Sequence, residues 1–257
     1  MSGNRDDVLR IGHLVFWGGE GSDGFFIDAE GFEGWSDAPN TRTEEVNLDD
    51  GDGSYDSTEF YEPRIITVSG LCIAGSAERL EHWRNQLFTV LQGRKQIFGN
   101  YQGARQFVYG RRFGQPKFQT IVPGSLARYQ FQIRCANPRK YGERVPTTVT
   151  GPNQSQSIYH RGNFNAYPTL IVRGTMPSYR IEGPNSTWQI ARAVTPSTPH
   201  TIDNFSGVLY ENGQVPLSSI TSGVGWSFPP GRIFETHRLI PDSGSGTLET
   251  VLYDTFI

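Results

Sequence analysis

The stretch "PRIITVSGLCIAGSAERLEHWRNQLFTVLQG" covers residues 63–93 and joins a strand pattern to a helix pattern. Its first part, Pro63 to Gly75, is rich in β-branched and other apolar side chains. A short and nearly continuous apolar run of this kind predicts a strand that is buried on both faces. This part of the chain is therefore expected to be built around a β-sheet.

The second part of the stretch carries the pattern of one amphipathic helix. Ser76 is a suitable N-cap, Glu78 lies in the first turn, and Gly93 is suited to the position just beyond the C-terminus. Apolar residues recur at spacings of three and four, and we expect the stripe that they form to pack on the sheet. These residues are Leu80, Trp83, Leu87 and Leu91.

Strand patterns return after the helix. The segments "ARQFVYGRRF" (104–113) and "KFQTIVPG" (117–124) are predicted as separate strands, because Gly110, Gly114 and Pro116 interrupt them. In "RYQFQIRCANP" (128–138) the side chains alternate, which predicts one buried and one exposed face. The predicted inward set is Tyr129, Phe131, Ile133 and Cys135, and the outward set is Gln130, Gln132 and Arg134.

A polar segment rich in Gly and Pro, near 146–158, predicts a domain boundary. Beyond it, short strand patterns are separated by turn signals such as Asn212-Gly213, and no helix pattern occurs. This spacing is typical of an antiparallel β-sandwich. The sequence therefore predicts a mainly β protein with two antiparallel β-sandwich domains, residues 1–147 with one α-helix and residues 148–257.

Motifs for catalysis or cofactor binding are not recognised: the sequence has no nucleophile elbow, HExxH, P-loop or CxxC pair. Cys72 and Cys135 lie in apolar strand patterns and are predicted to be reduced core thiols. No secretory signal and no apolar run long enough for a membrane span are recognised. We therefore expect no catalytic residues, no cofactor and no metal site.

Formal charge is divided unevenly along a chain whose net charge is −3. Residues 1–62 hold 16 acidic and 3 basic residues, whereas residues 63–144 hold 3 acidic and 14 basic residues. The remaining part, residues 145–257, holds 7 acidic and 6 basic residues and is nearly balanced. Neighbouring segments of opposite charge predict a charged partner or a self-complementary assembly.

The acidic charge is densest in "NLDDGDGSYDSTEFYEP" (47–63), which has six acidic residues and no Lys or Arg. Its alternating Asp residues resemble an EF-hand loop, but that loop needs Gly and a bidentate Glu where Tyr55 and Tyr61 stand. Full disorder is disfavoured because aromatic residues interrupt the run and a strong strand follows it. A long hairpin-like loop that becomes ordered in an assembly fits the pattern better.

The order of these segments resembles the siphophage distal tail protein family. A strand, "PRIITVSG" (63–70), is followed by a single helix and by "CANPRKYGE" (135–143), whose Ala-Asn-Pro and Tyr141 are similar to the close of that family's N-terminal domain. The later segments "AYPTLIVRG" (166–174), "TIDNFSGVLYENG" (201–213) and "WSFPPGRIFETHRL" (226–239) resemble its C-terminal sandwich. The likeness covers nearly the whole chain, with the acidic run in place of the family's Arg-rich turn.

This resemblance implies a structural virion protein at the tip of a long, non-contractile phage tail, made in the host cytoplasm. The N-terminal domains would form a homo-oligomeric ring, typically a hexamer, around a channel through which DNA passes without specific binding. The galectin-like or jelly-roll-like C-terminal domain would project outward. The implied partners are the tail tube protein, the baseplate hub or tail-associated protein, and a receptor-binding protein or a cell-surface glycan.

A ring of identical copies needs two different and complementary patches on each copy. The charge division predicts that acidic residues of one copy meet basic residues of its neighbour, while the remaining acidic residues face the channel and repel DNA phosphates. The candidates for the ring interface or the channel wall are Glu44, Glu45, Asp49, Asp50, Asp52, Asp56, Glu59, Glu62, Arg105, Arg111, Arg112, Lys117 and Arg134.

Other functions stay open on the sequence. The main alternative is a monomeric carbohydrate-binding protein, with Trp188, Tyr210 and Trp226 as glycan contacts, although aromatic residues also dominate the cores of sandwiches. A tail-associated glycan hydrolase that uses a pair of acidic residues is a second alternative. Nucleic-acid binding through the basic residues Arg105, Arg111, Arg112 and Lys117 is a third.

Overall fold

The computed structural model describes residues 8–19, 21–44, 46–48, 50, 52, 54–55, 58–215, 221–231 and 233–257. The chain divides into two compact units, one ending at Lys140 and including Ile257, the other spanning Tyr141–Phe256. This division precedes the predicted boundary at 147/148. The polar segment after the division belongs to the second unit, because Val145 and Thr150 donate backbone hydrogen bonds to Leu252 and Leu248.

The first unit contains eleven strands and one helix. In chain order they are β1 (Val8–Ile11), β2 (Leu14–Gly18), β3 (Gly24–Glu33), β4 (Thr41–Arg42), β5 (Val46–Asn47), β6 (Ser54–Tyr55), β7 (Phe60–Tyr61), β8 (Arg64–Ile73), α1 (Ala77–Val90), β9 (Arg94–Tyr101), β10 (Ala104–Val122) and β11 (Leu126–Cys135).

Seven of these strands form a closed barrel, in the order β11, β8, β3, β2, β1, β9, β10 and back to β11. The predicted antiparallel sandwich is therefore wrong for the first unit. One pair, β2 and β3, is parallel, with Phe16 beside Phe25. Closure depends on the length of β10, which pairs with β9 along Ala104–Arg111 and with β11 along Arg111–Val122.

The two strands predicted between residues 104 and 124 are one continuous strand. Pairing between β10 and β11 shifts its register between Phe113 and Lys117. Gly114 lies in this interval with φ of +68°, a backbone conformation that glycine adopts without steric cost. An irregularity of this kind bends the strand without ending it, which is why the predicted interruption did not separate two strands.

Strand β8 has one buried face and one half-buried face. Arg64, Ile66, Val68 and Cys72 point to the interior, and the residues between them are partly exposed. The prediction that both faces are buried is therefore wrong. The predicted alternation of β11 is confirmed: the inward residues Tyr129, Phe131, Ile133 and Cys135 are at most 1% exposed, whereas the outward residues Gln130, Gln132 and Arg134 are half-buried.

Helix α1 confirms the predicted pattern. The hydroxyl of Ser76 accepts a hydrogen bond from the backbone N–H of Arg79 at 3.2 Å, which satisfies one of the otherwise unpaired donors of the first turn. Leu80, Leu87 and Leu91 are buried against the barrel core. Trp83 is partly buried and packs edge-on against Phe25, with ring centroids 5.7 Å apart.

Both cysteines confirm the prediction of core thiols, since Cys72 and Cys135 are free and buried. Burial raises the pKa of the Cys72 thiol to about 12 and that of the Cys135 thiol to about 11. No helix in the described ranges is long and apolar enough to cross a membrane.

All elements of the second unit in its described residues are strands, and the first of them begins at Lys140, the last residue before the division. They are β12 (Lys140–Arg144), β13 (Ser155–Ile158), β14 (Thr169–Thr175), β15 (Tyr179–Glu182), β16 (Thr187–Ile190), β17 (His200–Asp203), β18 (Val208–Glu211), β19 (Thr221–Ser222), β20 (Glu235–Pro241), β21 (Ser245–Val251) and β22 (Tyr253–Phe256).

Two antiparallel sheets make up most of the second unit. One has the order β13, β20, β15, β16, β19, and the other has the order β18, β17, β14, β21. Buried residues of both sheets, including Leu170, Ile181 and Leu239, belong to one apolar core. The predicted turn at Asn212-Gly213 is present, with φ of +48° and +77°.

Candidate assembly surface

The acidic run is a narrow β-hairpin, which we call the acidic arm (residues 40–62). Thr41 and Arg42 pair with Tyr61 and Phe60, and further along β5 pairs with β6. At the root, the backbone N–H of Glu62 donates to the carbonyl of Asn40 at 2.7 Å. The predicted hairpin-like loop is thereby confirmed, while its ordering in an assembly stays a prediction.

The acidic arm is exposed along its described length. None of its described side chains is buried, and Tyr55 and Phe60 are 60% and 59% exposed. Five predicted carboxylates are exposed here: Glu44, Asp50, Asp52, Glu59 and Glu62. The predicted residues Glu45, Asp49 and Asp56 lie outside the described residues. Within the described ranges no three His, Cys, Asp or Glu side chains are grouped closely enough to hold a metal ion.

Two buried cations hold the segment that leads into the acidic arm. The Nη1 of Arg64 donates to the carbonyl of Gly34 at 2.7 Å, and its Nε donates to the carbonyl of Pro138 at 3.0 Å. The Nζ of Lys140 donates to the carbonyl of Trp35 at 2.8 Å. Because the Nη1 of Arg64 and the Nζ of Lys140 both donate to carbonyls of residues 34–37, they fix this segment, which precedes the arm, to the barrel.

Burial of the Lys140 side chain has an electrostatic cost. Desolvation, with a smaller contribution from the nearby Arg64, lowers the pKa of Lys140 to about 8. The sequence did not indicate this cluster, because its members lie on β8, on β12 and in the loop after β3. The available signal in the sequence was an Arg, Arg64, at the start of a largely apolar strand pattern.

Three arginines lie side by side across the outer face of the barrel. Arg111 on β10 is the register partner of Arg94 on β9 and of Arg134 on β11. Directly paired residues have Cβ atoms about 4.5–5.5 Å apart, and like charges at this separation are destabilising. We call Arg94, Arg111 and Arg134 the basic row.

The structure brings together only part of the predicted basic set. Arg111 and Arg134 are paired, but Arg105 lies six residues before Arg111 on the same strand, about 20 Å away at the usual rise. Arg112 points to the opposite side of the sheet, and Lys117 lies beyond the register shift. Arg94 was not predicted, because strand register cannot be read from the local sequence pattern.

Aromatic side chains flank the basic row on the same outer face. Arg94 lies over the ring of Tyr109, and Arg10 lies over the ring of Phe98, each at 4.9 Å from the ring centroid. Tyr109 and Phe98 are 39% and 37% exposed. Trp17, which is 45% exposed, lies away from the row, because the strand register places it level with Arg105. Arg, Tyr and Trp are the residue types that contribute most to protein–protein binding energy.

Among the described residues, the acidic arm and the basic row are not neutralised by ion pairs. No such pair involves a described carboxylate of the arm or an arginine of the row. In the part of the chain that the structure describes, each copy therefore presents two patches of opposite charge without ion-pair partners.

The predicted glycan contacts in the second unit do not form a surface platform. Trp188 and Trp226 are 3% and 4% exposed and belong to the core. The Nε1 of Trp188 donates to the Oδ1 of Asn204 at 2.6 Å, and the Nδ2 of Asn204 donates to the carbonyl of Trp226 at 2.5 Å. Tyr210 is half-buried on β18. Core packing, the other reading of these aromatic residues, accounts for both tryptophans.

Comparison with solved structures finds the same architecture in phage proteins. The chain aligns with SPP1 Dit (gp 19.1), described as a paradigm of hub adsorption apparatus in Gram-positive infecting phages. The TM-score is 0.64 and the sequence identity is 14%, and the alignment covers 89% of this chain and 93% of the other. It also aligns with a chain of the phage P2 baseplate in its activated conformation with Ca, with a TM-score of 0.51 and 5% identity over 84% and 87% of the two chains.

No family model matches the chain, and no curated protein matches it. The structural likeness nevertheless extends over nearly the whole length of both chains. The resemblance to distal tail proteins is therefore confirmed at the level of the fold: this chain has the fold of SPP1 Dit.

Proposed function

We propose that the chain is a structural protein of the phage tail tip and has no catalytic role. Copies of its first unit would form a ring at the distal end of a long, non-contractile tail. The ring would join the tail tube to the hub and the receptor-binding apparatus and would leave a central channel for DNA. The fold shared with SPP1 Dit supports this proposal.

The main support for a ring is that each copy has an acidic patch and a basic patch that do not pair with each other in the described residues. A head-to-tail ring closes when one patch of each copy binds a different patch of the next copy. The acidic arm supplies an exposed negative patch, and the basic row supplies a positive one. A neighbour's carboxylates would relieve the repulsion among Arg94, Arg111 and Arg134. This repulsion is present in the folded single copy, and its relief would favour assembly.

The acidic arm is preorganised for binding to a neighbouring copy. A flexible loop would lose conformational entropy on binding, whereas a preorganised segment loses less. The backbone pairing of the arm and the anchoring of residues 34–37 by Arg64 and Lys140 both limit that loss. Charge complementarity would set the register between copies, and the partly exposed Tyr109 beside the row would contribute affinity.

The test is the mass of the purified chain, measured by size-exclusion chromatography with light scattering. We expect closed oligomers at about 0.1 M salt and smaller species at about 1 M salt, because the screening length falls from about 10 Å to about 3 Å. Arg111→Glu should abolish the oligomer at low salt. Lys95→Glu is the matched control, since Lys95 is exposed on β9 next to Arg94 but points to the other side of the sheet.

Negative-stain images of the same sample should show rings with a central channel. A chain that is monomeric at every concentration and salt would contradict the ring. An oligomer whose mass is unchanged both by salt and by Arg111→Glu would contradict the assignment of its interface to the two charged patches.

A further inference from the structure

The second unit contains a cleft of about 290 Å³ whose lining combines two aromatic rings, one of them exposed, with charged side chains. Its lining includes Ile158 and the rings of Tyr159 and Phe234, and polar groups are contributed by Glu143, Arg161 and Asp254. The volume is at the lower end of the roughly 300–1,000 Å³ that is typical of ligand pockets. The cleft therefore suits a small ligand with both apolar and hydroxyl-rich faces.

Core packing does not explain the two aromatic rings of the lining, because one of them is largely open to solvent. Phe234 is 64% exposed and lies against half-buried Tyr159, with ring centroids 4.6 Å apart and planes inclined at 58°. An aromatic ring has a negative face, which attracts polarised C–H groups. The C–H-bearing face of a pyranose ring presents such groups and can stack on a ring that is open to solvent.

The polar residues of the lining offer hydrogen-bond donors and acceptors. The Oδ1 of Asp254 accepts the backbone N–H of Arg161 at 2.6 Å, which orients the carboxylate. The guanidinium of Arg161 is exposed and forms no ion pair with a described residue. Planar carboxylate and guanidinium groups can each bind two neighbouring hydroxyls, as the carboxylate has two acceptor oxygens and the guanidinium has five donors.

The charges that line the cleft favour a neutral ligand. Glu143 and Asp254 offset Arg144 and Arg161, and Arg144 is already paired with Glu249 at 3.3 Å. An anionic ligand would meet two carboxylates, and a purely apolar ligand would leave the charged groups desolvated without partners. We propose that this cleft binds the end of a neutral oligosaccharide, with Phe234 as the stacking ring and with Arg161 and Asp254 as hydroxyl contacts.

The experiment uses the full chain and four soluble disaccharides: lactose, cellobiose, maltose and N,N′-diacetylchitobiose. Saturation-transfer difference NMR should detect binding of at least one of them, and titration calorimetry should give its affinity. Phe234→Ala should weaken that affinity by about tenfold, equivalent to about 1.4 kcal/mol. Arg161→Ala should weaken it as well.

The matched control is Phe205→Ala. Phe205 is also an exposed phenylalanine of the second unit, 52% exposed, and also packs against a tyrosine, with its ring centroid 5.1 Å from that of Tyr167. It does not line the cleft, so its variant should bind like the wild type. Absence of binding for all four sugars would overturn the proposal, as would equal losses in Phe234→Ala and Phe205→Ala.

Preferential binding of glucuronic acid would overturn the assignment to neutral sugars. The proposal is independent of the ring, because Phe234→Ala should leave the mass of the oligomer unchanged. Failure of the sugar assay and failure of the ring assay can therefore be told apart.

Discussion

Arg111 and Arg134 lie directly opposite each other on adjacent antiparallel strands, and neither forms an ion pair with a described residue. Such a pair lowers the stability of the isolated barrel. Its presence is understandable if a partner supplies the missing negative charge. The same two arginines therefore lower the stability of the single copy and would raise the stability of an assembly.

Arg134→Glu should stabilise the isolated copy while weakening the oligomer. The substitution replaces a like-charge pair with an opposite-charge pair, which is worth about 0.2–1 kcal/mol across two strands. Urea unfolding at low protein concentration and about 0.1 M salt measures the gain. Arg128→Glu is the matched control, because Arg128 lies on the same strand opposite the neutral Gln119. A lower free energy of unfolding for Arg134→Glu than for the wild type would contradict the explanation.

Excision of residues 41–61, with Asn40 joined to Glu62 by a two-residue Asn-Gly turn, should leave the barrel folded and monomeric. The two ends already meet, since the backbone of Glu62 donates to that of Asn40 at 2.7 Å. The loss of stability should be small because no described side chain of the acidic arm is buried. Circular dichroism and light scattering check the two outcomes. Persistence of the oligomer would show that assembly does not need the arm.

Lys140 should make stability depend on pH in alkaline solution. Its pKa is about 8 in the folded chain, below the ordinary value of 10.5, so the unfolded state binds more protons between these values. Stability from this residue therefore rises as pH increases from about 8 to about 10.5. Below pH 8 the full cost of burying the charge is present.

Because the buried thiols and Tyr129 also titrate at high pH, the informative quantity is the difference between variants. Lys140→Met should remove the rising component from the pH dependence of the unfolding free energy between pH 7 and 10. Lys95→Met should not change it, since Lys95 is exposed. Parallel curves for the wild type and Lys140→Met would show that the ammonium group is not desolvated by folding.

Asn204→Ala should destabilise the second unit. The Asn204 side chain is 1% exposed and bridges Trp188 and Trp226. Its removal leaves a buried indole N–H and a buried carbonyl without this partner, at a cost of about 1–3 kcal/mol per unsatisfied group. Thermal unfolding monitored by tryptophan fluorescence measures the effect. Asn185→Ala, at an exposed position of the same unit, should be nearly neutral.

The sequence alone determined the strands, the helix and the turn that short sequence patterns specify. The alternation of residues 129–135, the helix that begins after Ser76 and the turn at Asn212-Gly213 are all present. Each depends on spacings of a few residues, because a side chain's direction follows from the period of its own strand or helix. The order of these elements was also enough to predict the resemblance to distal tail proteins, which the fold confirms.

Only the tertiary structure decided the closure of the barrel, the burial of Trp188 and Trp226, and the composition of the basic row. Arg94, Arg111 and Arg134 become neighbours through the register of three strands, and Arg64 and Lys140 meet on the loop that precedes the acidic arm. Such contacts join residues that are distant along the chain. Pairing and burial arise from the packing of the whole unit, and no short stretch of sequence contains that information.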